Sequence, residues 1–211
     1  MGQMKNRFKV RKIVNIFLFI AVFGSWLSML FFGTGALVQT GIGSLRYFTV
    51  LSNLFAGFTA AAWLIRTHGG TEAGAGVERL KYIAAAAVGL TFVTVMVFLG
   101  PLYGYPAMLV GANLFMHLIT PVTAIAEVIF LSDVEYTRRD NALVMISPLL
   151  YGSFYLGNIA INGIGEWPDT NDWYLFFTWG FPVGMVIFTV IFVVTWLLGF
   201  LMRKAKRTKR D

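Results

Sequence analysis

His117 is the one histidine inside a long apolar stretch of this sequence, the other, His68, lying in a glycine-rich segment. An ionisable group in hydrocarbon is costly and marks a functional candidate by default. A single histidine at this place excludes several chemistries. Paired-histidine haem ligation, a histidine-rich zinc site and an HExxH pair all need a second ring nearby. The chain has no cysteine, so disulfides, thiolate metal sites, iron–sulfur clusters and a cysteine nucleophile are excluded together. No lysine falls within an apolar stretch to form a retinal-type Schiff base, and no GxSxG elbow exists. Neither metal nor cofactor is expected. What remains for His117 is acid–base work on a hydroxyl, that of Thr49, Ser52 or a bound substrate. A neutral imidazole in a protected site can take the threonine proton as the oxygen attacks, while nearby amides hold the developing oxyanion.

The other polar residues fall at helical spacing. Asn113, His117, Thr120 and Glu127 lie within roughly 80° of one another at about 100° per residue, so they share a face. Ser147, Tyr151, Tyr155, Asn158 and Asn162 follow at steps of four, four, three and four residues and draw a second stripe. Thr49 and Asn53 are four apart, with Ser52 beside them. Asn53, Ser52, Asn113, Asn158, Asn162 and Tyr155 are the candidates to contact substrate, bind an oxyanion or orient the histidine. Each also has a plainer reading: the amides and Ser52 as hydrogen bonds between helices, Thr49 as a hydroxyl bonded back to its own helix. Glu127 lies about 15 Å along its helix from His117 and reads as an interfacial or packing acid.

The elements that must hold these residues are set by composition. Of 211 residues 57% are hydrophobic and 13% charged, with a mean hydropathy of +0.71. Six nearly uncharged stretches, 13–32, 47–65, 82–100, 108–131, 142–161 and 174–202, are each long enough to cross a bilayer, which takes about 20 residues. The predicted fold is all-α, a polytopic membrane protein whose single domain, 1–211, is a bundle of six transmembrane helices. Eleven of the 17 basic residues sit in the blocks Lys5 to Lys12 and Arg203 to Arg210. Connections on the same side add Arg66, Arg79, Lys81, Arg138 and Arg139, against Arg46 alone on the other, so both termini are assigned to the cytoplasm. That placement explains the net charge of +7 without nucleic acid. The first stretch is too long for a signal peptide. The run His68 to Gly76 reads as a flexible connector rather than a phosphate loop. Gly100 to Pro106 and Glu166 to Trp173 read as interfacial aromatic segments, and Gly180 and Gly184 as a close helix contact. No internal repeat is evident, which disfavours an inverted-repeat transporter.

Leu45 to Leu54 (LRYFTVLSNL) and Phe115 to Leu131 (FMHLITPVTAIAEVIFL) resemble two patches of the androgen-induced and androgen-dependent TFPI-regulating protein family and its bacterial six-span relatives. The first has a threonine after an aromatic pair. The second has a histidine, a proline shortly after and an acid ten residues on. The resemblance implies a membrane threonine hydrolase of fatty acid esters of hydroxy fatty acids, with Thr49 as nucleophile and His117 as base and no cofactor. It also implies a bacterial cytoplasmic-membrane location. The segment Glu166 to Trp173, with Trp167 and Pro168, is more acidic than the family's corresponding patch, which bears on the substrate. Two alternatives stand beside this reading. One is a small proton-coupled transporter or channel with His117 in a polar route continuing through Glu127 and Ser147. The other is a non-catalytic assembly protein whose polar interior only specifies packing.

Overall fold

The computed structural model describes residues 2–32, 41–166 and 170–208, and all regular structure among them is helical. Six helices are long and apolar enough to cross a membrane: α1 (Asn6–Phe32), α2 (Phe48–Arg66), α3 (Ala75–Tyr103), α4 (Ala112–Phe130), α5 (Arg138–Asn162) and α6 (Phe181–Lys206). A short 3-10 helix, Gly41–Arg46, leads into α2. Helix α3 runs through the middle, packed against α2, α4, α5 and α6, while α1 lies on α2 and α4. Its central run Ala84, Ala85, Ala86, Ala87 and Val88 is fully buried. Side chains this small let the neighbouring backbones approach closely, which is how helices associate where no hydrophobic force separates them from lipid.

Five of the helices differ in extent from the sequence expectation: α4 begins at Ala112 rather than 108, after the left-handed Gly111 (φ 57°), and the other four differ for two reasons. At the end where both termini lie, α1, α3, α5 and α6 run on into charged sequence. Arg7 donates there to Phe130 O (2.9 Å) and Ser132 O (3.1 Å), and Lys206 also donates to Ser132 O. Charge can enter the helices because it is paired. Arg11 on α1 bonds Glu78 on α3 (2.6 Å) and Glu127 on α4 (2.8 Å), and Lys81 on α3 bonds Glu127 (2.8 Å). Asn15, Trp63 and Ser132 supply further hydrogen bonds to the two carboxylates. Lys81 therefore lies inside α3 and buried, a correction to the expectation of no lysine within a span. Glu127 is a packing acid, as its depth suggested.

At the opposite, aromatic end the sixth helix begins at Phe181, not at 174. Residues 170–180 instead fold back over the bundle. Leu175 (φ 57°) and Gly180 (φ 88°) turn the chain through left-handed conformations. Asp172 accepts from Phe176 N and Phe177 N, both at 2.9 Å, and from the Tyr155 hydroxyl. Gly184 does not meet another long helix: a Cβ there would lie 2.4 Å from the Phe177 ring, so this glycine makes room for the folded-back segment.

Two prolines shape the helices nearest the site. Pro101 and Pro121 have no N–H, and their rings press on the carbonyl four residues back, that of Val97 and of His117. Each helix widens into one π turn centred on that residue, over Val95–Leu99 and Phe115–Ile119. In the second turn Thr120 N bonds Phe115 O rather than Met116 O, so the Met116 carbonyl is left open.

Candidate functional site

Thr49 is the second residue of α2. The residue before the helix, Tyr47, is extended and offers no side-chain cap, so the first helical N–H must find an acceptor elsewhere. Phe48 N finds it in the Tyr174 hydroxyl at 2.9 Å. Beside this junction is a cavity of about 90 Å³, bounded by α2, α3, α5, α6 and the folded-back segment. Thr49, Thr91, Thr94, Tyr151 and Tyr174 form its polar wall, and Val95, Phe98, Phe176, Phe188 and their neighbours the apolar one. The volume is several times the roughly 10–15 Å³ one water needs. An apolar cavity with a few polar groups at one end suits a chain with one polar linkage. Among the described residues the Thr49 hydroxyl makes no hydrogen bond, unlike Thr59 and Thr195, which bond back to their own helices.

His117 is buried on the π turn of α4, and its Nδ1 lies 2.7 Å from Met108 O. A carbonyl only accepts, so Nδ1 carries the proton and Nε2 keeps its lone pair. The ring is therefore held in the tautomer a general base needs. Asn53, one turn along α2 from Thr49, links the two residues. Its Nδ2 donates to Thr49 O (2.8 Å) and to the open Met116 O (3.0 Å), strapping α2 to the π turn. Both donors being used, Asn53 is committed to this strap. Its Oδ1 is buried and unpartnered among the described residues, as is Thr120 Oγ1. Ser52 Oγ bonds Thr49 O and lies 3.1 Å from Thr91 Oγ1, joining α2 to α3 at the cavity wall. Asn113 is buried in the first turn of α4.

The second predicted stripe splits. Tyr151 faces the cavity, donates to Arg46 O at 2.6 Å and accepts from Trp173 Nε1 at 3.0 Å. Tyr155 and Asn158 are committed to the folded-back segment, and Asn162 bonds Asn158 on its own helix. Tyr155 bonds Asp172 and accepts from Tyr174 N (3.2 Å); Asn162 donates to Asn158, and Asn158 to Asn171, both at 2.9 Å. The structure thus brings Thr49, Ser52, Asn53 and the His117 turn together and places Asn158 and Asn162 one layer outward. His117 is not among the residues lining the cavity. Nor, among the described residues, does a hydrogen bond join its ring to the Thr49 hydroxyl. Trp167 and Pro168 lie outside the described residues.

Sequence reasoning missed Tyr174, which it placed as the first residue of the sixth apolar stretch. Burial pushes its phenol up from 10.0 to about 12, against the Tyr151 hydroxyl and the Phe48 and Thr49 amides, which favour the phenolate. It stays protonated at any physiological pH. Comparison of the chain with protein families, curated proteins and solved structures finds no match.

Proposed function

We propose that this protein is an integral-membrane lipid ester hydrolase acting through a threonine nucleophile, in line with the resemblance of its Thr49 and His117 patches. The observation that carries the reading is the Thr49 hydroxyl. It has no partner among the described residues, opens into an apolar cavity, and sits on a helix strapped by Asn53 to the turn bearing a tautomer-fixed His117. Thr49 Oγ attacks the ester carbonyl carbon and its proton passes to His117 Nε2. The tetrahedral intermediate collapses, and the leaving alkoxide takes that proton. Water then gives a proton to His117 and attacks the acyl-threonine, returning acid and regenerated Thr49. Apo sites commonly hold such groups apart until substrate tightens them. The substrate is an amphiphile with one ester linkage, entering from lipid, and fatty acid esters of hydroxy fatty acids fit this description. The basic residues favour cytoplasmic termini, and the resemblance a bacterial cytoplasmic membrane.

A proton or solute path, the alternative, needs polar continuity from His117 to the basic end. On the four helices around Glu127, apolar residues intervene: Leu18 on α1, Ala56 and Ala60 on α2, Ala84, Ala85 and Val88 on α3, and Ala124 on α4. Glu127 beyond them is bound to Arg11 and Lys81. This apolar layer favours an enzyme over a path.

The test is labelling of purified protein in nanodiscs with a lipophilic fluorophosphonate, comparing wild type, Thr49→Ala and His117→Ala, with thermal melts as the control for folding. Loss of label in both folded variants is expected. Label that survives Thr49→Ala, or never forms on wild type, refutes the threonine mechanism.

A further inference from the structure

The proposed hydrolysis places a negative charge on the ester carbonyl oxygen and needs a donor aimed at it. The amides that the polar stripes offer are engaged elsewhere or, like Asn113, lie off the cavity wall. Both donors of Asn53 are held by backbone carbonyls, and Asn158 and Asn162 are spent one layer outward. We infer that the Tyr174 phenol is the oxyanion donor, a role that rests on the hydrolase reading above.

Four observations converge on it. Tyr174 lines the same cavity as Thr49. Its oxygen already accepts the Phe48 N–H at 2.9 Å, the first N–H of α2, where the helix dipole is positive. A phenol that accepts such a bond becomes a stronger donor through its own O–H, whose neighbour before substrate binds is the Tyr151 hydroxyl. The ring is fixed on several sides: it stacks on Phe176 (5.1 Å between centroids) and on Tyr155 (6.0 Å), and meets Tyr47 edge-on (5.9 Å). Its backbone N–H is held by the Tyr155 hydroxyl, and the following residue, Leu175, turns the chain at φ 57°. A donor fixed before substrate arrives need not reorganise as charge develops, which is where such groups gain their effect.

The chemistry balances without a further reactant. When Thr49 Oγ bonds the carbonyl carbon, the carbonyl π pair moves to oxygen. The Tyr174 O–H donates a hydrogen bond to that oxygen and keeps its proton. On collapse the pair returns, the ester C–O bond breaks, and the same contact serves the second intermediate formed by water. Tyr174 is thus a catalytic residue that touches a reacting atom but exchanges no proton.

The experiment is steady-state hydrolysis of p-nitrophenyl octanoate by purified protein in nanodiscs, with wild type, Tyr174→Phe, and protein carrying fluorotyrosines of graded acidity at position 174. Tyr174→Phe keeps the ring packing and loses the donor, so kcat is expected to fall by about 10²–10³-fold with KM nearly unchanged. The fluorotyrosines keep the acceptor for Phe48 N, so folding is preserved, and kcat is expected to track phenol acidity. A kcat within about 3-fold of wild type in Tyr174→Phe, or one indifferent to fluorination, overturns the inference. If wild type labels at Thr49 with fluorophosphonate while Tyr174→Phe labels equally fast, Tyr174 alone is excluded. A wild type that neither labels nor hydrolyses ester removes the hydrolase reading and this role with it.

Discussion

Asn53 has two amide protons and both go to main-chain carbonyls, one on its own helix and one on α4. In the proposed hydrolase that makes it a positioning residue rather than a group that touches substrate. Replacing it with leucine removes both bonds and leaves Met116 O buried without a partner, at a cost of about 1–3 kcal/mol. Fluorophosphonate labelling of the folded Asn53→Leu protein should slow by at least 10-fold, on the scale seen when a supporting shell is lost. A labelling rate equal to wild type would reduce the strap to packing. Thr49, His117 and Asn53 were legible from the sequence because polar side chains inside apolar stretches are few and their spacing fixes a face. Tyr174 was not. Nothing in a run of tyrosine, tryptophan and phenylalanine separates a residue folded back over a cavity from the first residue of an apolar stretch. The stripe from Tyr151 to Asn162 was legible as a stripe. Its partner, however, is the segment 170–180, whose path depends on left-handed turns at Leu175 and Gly180.

The element that presents His117 is a helix deformed by its own sequence. Pro121 forces the π turn, the π turn frees the Met116 carbonyl, and the freed carbonyl is what Asn53 holds. Pro121→Ala should restore a regular helix, return Met116 O to Thr120 N and displace Asn53. The expected outcome is a melting temperature equal to or above wild type together with at least a 10-fold loss of labelling, since proline inside a helix costs about 3 kcal/mol. A variant that melts higher and labels normally would show that the deformation has no part in the site. The proline and histidine are both visible in sequence, four residues apart, but periodicity treats the helix as regular and so misses the carbonyl released between them. Helix boundaries were legible at α2 and at the end of α5, where apolar sequence gives way to Gly163, whereas α3 runs on through Gly100 and Pro101 to Tyr103. They were not where charges pair across the bundle, because pairing depends on helices far apart in the chain.

At the scale of the molecule, the cluster of Arg11, Lys81, Glu78 and Glu127 joins α1, α3 and α4 through two cations and two anions that are all buried. Removing one member should be far worse than removing a pair. Glu127→Gln leaves Arg11 and Lys81 sharing one carboxylate, a loss of about 3–5 kcal/mol, whereas Lys81→Met with Glu127→Leu should recover much of it. Thermal melts of the single and double variants in nanodiscs check this, and equal losses would deny the coupling. The layer of alanines, leucine and valine between this cluster and the cavity keeps the two polar regions apart, so the double variant should retain its label at Thr49. The same cluster also constrains the order of biogenesis. Arg11 is synthesised 67 residues before Glu78 and 116 before Glu127. The guanidinium of the first helix therefore leaves the ribosome before either carboxylate that pairs with it has been made, and water or lipid headgroups must hold it until then. The buried cluster is therefore a late event in assembly, completed only when α3 and α4 return to α1.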